Sequence, residues 1–121
     1  MKLNISLAFL SAALLASAPA SAFELQHSKG TLALNATPEK VVSFDVGVLD
    51  TFAALDIPVA GVPRSTYEGQ LARYKDTHQV GTLFEPDYDA LREVSPDLII
   101  AGRRSIPAMP ELAKLAPTIN F

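Results

Sequence analysis

The sequence predicts an α/β fold, with a mostly parallel sheet covered by helices and preceded by a β-hairpin. Three observations carry this reading. Val41-Val42-Ser43-Phe44 and Asp97-Leu98-Ile99-Ile100-Ala101 are apolar at nearly every position rather than at every second one, as in strands buried on both faces. Each run leads through a short turn to a segment with apolar residues at helical spacing. The two units also resemble each other: Leu55-Asp56-Ile57-Pro58-Val59-Ala60 parallels Leu115-Ala116-Pro117-Thr118-Ile119-Asn120.

Taken in order, Phe23 to Gln26 and Thr31 to Leu34 flank His27-Ser28-Lys29-Gly30, the pattern of a hairpin. The strand at Val41 to Phe44 stops at Asp45 and Gly47. A helix is expected over Gly47 to Asp56, with Val48, Leu49, Phe52 and Leu55 on one face. Pro58 ends it, and Val59 to Val62 form the next strand. Residues 63–78 are polar and weakly patterned, so they read as a surface loop, with Gln70 to Tyr74 the one candidate helical turn. Gln79 to Thr82 is a further strand. The next helix starts with Pro86 in its first turn and runs to about Val94, burying Tyr88, Leu91 and Val94. After the strand at 97–101 comes the turn Gly102-Arg103-Arg104. A helix over Pro107 to Ala116 follows, with Met109, Leu112, Ala113 and Leu115 as its apolar set. Pro117 closes that helix, and a strand begins at Thr118.

The chain has 121 residues, a length for one domain. Lys2, the apolar stretch Leu3 to Ala16 and the small residues Ala20-Ser21-Ala22 read as a cleavable signal peptide over 1–22, leaving 23–121 as the exported domain. The apolar stretch is shorter than the roughly 20 residues of a membrane span. A short N-terminal core helix is the competing reading. No cysteine is present, so disulfides, thiolate metal sites, a cysteine nucleophile and a lipidated N-terminal cysteine are all excluded from the expectation. A net charge of −3 argues against nucleic acid as a partner. Phe121 falls inside or just after a core-type strand, which implies an uncovered sheet edge and a piece of a longer protein.

Catalytic signatures are sparse. None of the six glycines stands in a phosphate-loop spacing, and no serine sits in a G-x-S-x-G elbow. His27 and His78 lie in separate turns and suggest no metal site. Loops at the carboxyl ends of parallel strands, where open α/β sheets bind ligands, carry Arg64 and Tyr67 after Val62, and Arg103 and Arg104 after Ala101. Arginine forks there suit carboxylate, phosphate or catecholate oxygens. Ordinary solvated surface charge is the alternative for each of them.

The segments Thr37-Pro38-Glu39-Lys40-Val41-Val42-Ser43-Phe44-Asp45, Leu49-Asp50-Thr51, Gly81-Thr82-Leu83-Phe84-Glu85-Pro86-Asp87, Pro96-Asp97-Leu98-Ile99-Ile100-Ala101-Gly102-Arg103 and Ala116-Pro117-Thr118 resemble, in that order, the periplasmic substrate-binding proteins of ferric-siderophore ABC importers. The resemblance covers nearly all of 31–121 and implies a Rossmann-like lobe, the N-terminal half of a two-lobed binding protein. It implies an anionic ferric siderophore as ligand, with the iron held by the siderophore and no cofactor or metal site of the protein's own. It further implies an inner-membrane ABC permease as partner, a monomer, and no enzymatic activity. By the same resemblance Arg103 faces the ligand, with Arg104, Arg64 and Tyr67 as further wall. Phe84 either packs on the ligand or is a core aromatic. Asp89 takes the place of a permease-docking carboxylate, or else stabilises its own helix dipole. Carriage of haem or a cobalamin is a neighbouring reading, with Tyr67, Tyr74 or His78 as axial-ligand candidates. A single-lobe secreted interaction module and a small flavodoxin-like enzyme are the readings from other classes.

Overall fold

The computed structural model describes residues 23–121, so the signal peptide expected at 1–22 lies outside the described residues. Strands β1 (Phe23–His27) and β2 (Gly30–Leu34) form the antiparallel hairpin. Strands β3 (Val41–Ser43), β4 (Leu98–Ala101) and β5 (Thr118–Asn120) form a parallel sheet in the order β3-β4-β5. Val41 stands opposite Leu98, and Ile99 opposite Thr118. The expected strands at 59–62 and 79–82 are reduced to isolated parallel bridges, Val42 with Gly61 and Val62 with Gln79. Their brevity has local causes: Pro58 and Pro63 have no N–H for a ladder, and the chain turns at Gly81, whose φ is +111°.

Helix α1 (Val46–Ala54) begins where the Asp45 carboxylate accepts the Val48 N–H at 3.1 Å, and the chain leaves it through Asp56 at φ +55°. Helix α2 (Tyr88–Val94) starts later than expected. Asp87, not Pro86, sets its start, accepting the Ala90 N–H at 3.0 Å, while Pro86 pairs with Gly81 outside the helix. The single helix expected over 107–116 is instead a 3₁₀ helix from Arg103 to Ala108, followed by the short α3 (Met109–Leu112). Ser105 starts that winding early by bonding back to Gly102. Pro107 cannot donate an α-helical bond to the preceding turn.

Because the strands are buried on both sides, their side chains sort by alternation onto two faces. Val42, Phe44 and Ile99 pack with Leu91 and Leu112 beneath α2 and α3. Val41, Leu98, Ile100 and Ile119 pack against Leu25 and Leu32 of the hairpin and Val48 and Phe52 of α1.

The hairpin turn also closes the sheet edge that the sequence left uncovered. Ser28 N–H donates to the Asn120 carbonyl at 2.7 Å, and the Asn120 N–H donates to His27 Nδ1 at 3.3 Å. Ser28 Oγ donates to Asn120 Oδ1 at 2.6 Å, and Asn120 Nδ2 donates to the Ala101 carbonyl at 2.8 Å. An outward-facing peptide of β5 is therefore paired within the chain rather than offered to another strand.

Residues 63–78 depart furthest from expectation. They hold a 3₁₀ helix, Gly69–Tyr74, and a small core of their own with Leu49, Val62, Tyr67 and Tyr74. Tyr74 Oη donates to the Leu49 carbonyl at 2.9 Å, and Tyr67 Oη donates to the Pro63 carbonyl. Burial, and secondarily Tyr74, pushes the Tyr67 phenol up to about 12. The unfolded chain ionises near 10, so the stability that neutral Tyr67 contributes is full below pH 10 and is lost between pH 10 and about 12. Tyr67→Phe leaves the buried Pro63 carbonyl without its donor and should cost about 1–2 kcal/mol at neutral pH. Urea denaturation at pH 7 and at pH 11 checks both statements: the gap between variant and wild type should narrow at the higher pH.

Candidate functional site

The carboxyl ends of β3 and β4 lie side by side, and a cleft of about 370 Å³ opens there. Phe44, Asp45 and Gly47 line it from the turn into α1, and Gly102, Arg103 and Arg104 from the turn after β4. Leu83 reaches it from the Gly81–Pro86 turn, a contributor that the sequence reading did not single out. The two strand ends are pressed together: a Cβ on Gly102 would lie 2.6 Å from the Phe44 carbonyl oxygen. Buried Ser105 holds the second turn, its Oγ accepting the Gly102 N–H at 2.9 Å, so the backbone under Arg103 and Arg104 is fixed from within.

The five arginines divide into two sets. Arg73 pairs with Asp56 at 2.7 Å and Arg92 with Asp89 at 2.7 Å. Among the described residues Arg103, Arg104 and Arg64 have no carboxylate at ion-pairing distance. Arg103 and Arg104 are exposed and line the cleft. Arg64 is exposed too, one strand further along, where its N–H donates to the Gly81 carbonyl at 2.7 Å; it is not part of the cleft lining. Two cationic forks without carboxylate partners beside a concave surface suit an anionic ligand.

Other expected site residues are placed differently. Tyr67 lies outside the lining of this cleft: it is buried, with its hydroxyl donating to the Pro63 carbonyl. Phe84 is not a core aromatic, since it is 64% exposed, and the Arg104 guanidinium carbon lies 5.8 Å from its ring centroid. Asp89 is exposed in the first turn of α2 and is held by Arg92 three residues on. Of the side chains considered as axial haem ligands, Tyr67 and Tyr74 are buried with their hydroxyls donated to carbonyls, and His78 Nε2 lies 3.8 Å from Glu93. Among the described residues no three His, Asp or Glu side chains converge as a metal site, and no helix is long and apolar enough to cross a membrane.

A cleft at the carboxyl ends of parallel strands is the place where open α/β folds bind ligands. Comparison with known proteins places it more closely. The chain is 45% identical over 86 residues to the petrobactin-binding protein YclQ of Bacillus subtilis, a match covering 68% of this chain and 27% of that protein. The crystal structure of YclQ superposes with a TM-score of 0.76 and 37% identity, over 83% of this chain and 37% of that one. The periplasmic catecholate-siderophore-binding protein VctP of Vibrio cholerae gives a TM-score of 0.76 and 35% identity, over 84% of this chain and 37% of that one. No model of a protein family matches the chain. Its homologues are thus ferric-siderophore-binding proteins of periplasmic type, and the chain spans about a third of their length.

Proposed function

We propose that residues 23–121 are the N-terminal lobe of a two-lobed periplasmic protein. It binds an anionic iron(III)–siderophore complex and delivers it to an inner-membrane ABC permease. Residues 1–22 serve as its cleavable signal peptide. The observation that carries this reading is the pair of arginines without carboxylate partners, Arg103 and Arg104, at a cleft between parallel strand ends, in a chain whose homologues bind ferric siderophores. The protein's part is recognition without bond chemistry: the siderophore holds the iron, and the cleft supplies shape and positive charge. Arg103 is the principal anion contact. Arg104 and Phe84 flank it, and Arg64 adds long-range positive potential from the neighbouring strand end.

Asp89 is the permease-docking residue in this reading. Its carboxylate is already exposed, and surface pairing with Arg92 is weak enough to exchange for a partner's cation. The siderophore-binding homologues favour transport over an isolated interaction module. The occupied hydroxyls of Tyr67 and Tyr74 weigh against haem carriage.

Arg103→Ala in the full-length protein should weaken binding of a ferric siderophore by about 10- to 100-fold, the loss of a charge-assisted contact. Thermal stability should change little, because Arg103 is exposed and unpaired. Calorimetric titration beside a melting curve checks this. An unchanged affinity would remove Arg103 from the site.

A further inference from the structure

The cleft is not uniformly positive. Asp45 lines it from the β3 side, while Arg103 and Arg104 line it from the turn after β4. No cationic side chain among the described residues lies at ion-pairing distance from the Asp45 carboxylate, so opposite charges share one cavity without pairing. The carboxylate also caps α1, but it does so with one oxygen: Oδ1 accepts the Val48 N–H at 3.1 Å. Oδ2 has no donor among the described residues, and it is open to solvent, since none of the buried side-chain oxygens is left without a partner. Capping needs only an oxygen acceptor, which asparagine or serine supplies as well as aspartate. The dipole of α1 favours the negative charge but leaves Oδ2 unoccupied.

Asp45 and Gly47 line a second hollow as well, a groove of about 420 Å³ formed with Val48, Thr51 and Phe52 of α1. The carboxylate therefore stands where cleft and groove meet. Gly47 keeps the passage beside it clear, because a Cβ there would lie 3.2 Å from Asp45 Oδ1. We infer that Asp45 is a cation subsite of the cleft, selecting iron chelates that carry a protonated amine on an alkyl arm besides their anionic oxygens. This inference rests on the ferric-siderophore reading and names a further feature of its ligand. The anionic oxygens stay with Arg103 and Arg104, the ammonium donates to Asp45 Oδ2, and the methylenes of the arm follow Val48 and Phe52. A chelate with the same oxygens and no amine meets the same arginines but is repelled by Asp45. One residue thus rewards the amine and penalises its absence.

The test uses the full-length protein, titrated calorimetrically with two iron(III) complexes prepared alike, one of catechol and one of dopamine. Both present the same oxygens and rings, and only dopamine adds an ethylammonium arm. Asp45→Asn keeps the cap and removes the charge, so its melting curve should stay close to that of wild type. It should lose about tenfold in affinity for the dopamine complex, and keep or gain up to about threefold for the catechol complex. Asp45→Ser, a second neutral cap, should shift the ratio of the two affinities in the same direction. A shift of about fivefold or more in both variants supports the subsite. A smaller shift in either, or an equal loss on both complexes, overturns it and leaves the transport reading standing. Wild-type protein that binds iron(III) citrate but neither catechol-type complex does the same. Wild-type protein that binds none of the three chelates overturns both.

Discussion

Gly81→Ala is expected to destabilise the protein by about 3 kcal/mol or more, the largest effect among the six glycine-to-alanine exchanges. Two penalties fall on one position. The backbone has φ +111°, a conformation that residues with a Cβ rarely adopt. An added Cβ would also lie 2.3 Å from the Glu85 carbonyl oxygen and 2.5 Å from the Asp87 nitrogen, and both are backbone atoms with no rotamer by which to retreat. Displacing them disturbs the Asp87 N–H bond to the Val80 carbonyl at 2.8 Å, and with it the start of α2, which brings Leu91 into the core. Denaturation with urea should show a lower midpoint with an unchanged slope. A loss below about 1 kcal/mol would mean that the turn relaxes freely, and a freely relaxing turn could not hold Phe84 in place.

Gly102→Ala should act on both stability and binding. Gly102 adopts an ordinary extended conformation at φ −85°, so space rather than backbone strain is the obstacle. Its Cβ would lie 2.6 Å from the Phe44 carbonyl oxygen and 3.1 Å from the carbonyl carbon. Relief requires that the ends of β3 and β4 separate, where Phe44 N–H donates to the Ile100 carbonyl at 2.8 Å. About 2 kcal/mol of stability should be lost. Because the same separation moves the backbone that carries Arg103, ferric-siderophore affinity should fall by about tenfold or more, a misplacement effect on a preorganised site. Denaturation beside calorimetric titration of the same variant separates the two losses. Full affinity in a destabilised variant would show that the cleft does not depend on this close approach.

These residues also show what could be read in advance. Val41-Val42-Ser43 and Leu98-Ile99-Ile100-Ala101 announce buried parallel strands because neither face tolerates a charge, and the arginines after Ala101 follow from strand direction alone. Tyr67 could not be placed this way. It lies in a polar stretch, and its burial depends on Leu49, Val62 and Tyr74 meeting it from three separate segments. Arg73 likewise looks no different from Arg64 in the sequence; its partner Asp56 stands 17 residues earlier and meets it only after α1 and the following 3₁₀ helix pack together. Phe84 is the opposite case. An aromatic in Leu83-Phe84-Glu85 reads as readily core as surface, and only the turn geometry set by Thr82 and Gly81 leaves it in solvent. Short-range capping was partly legible, since Asp45 and Asp87 stand where helices begin. The bond from Ser105 back to Gly102, which winds the chain before Pro107, was not.

The hairpin latch on Asn120 has a kinetic consequence. Ser28 and Asn120 are 92 residues apart, so this contact closes nearly the whole described chain into one loop. Such a closure costs on the order of 4 kcal/mol in chain entropy, and a lone two-stranded hairpin has little stability of its own to offset it. A chain that emerges from its amino end therefore carries the hairpin without a permanent seat until β5 has arrived. Strand β5 completes the seat of the hairpin, so this edge is sealed only once residues 118–120 have joined the sheet.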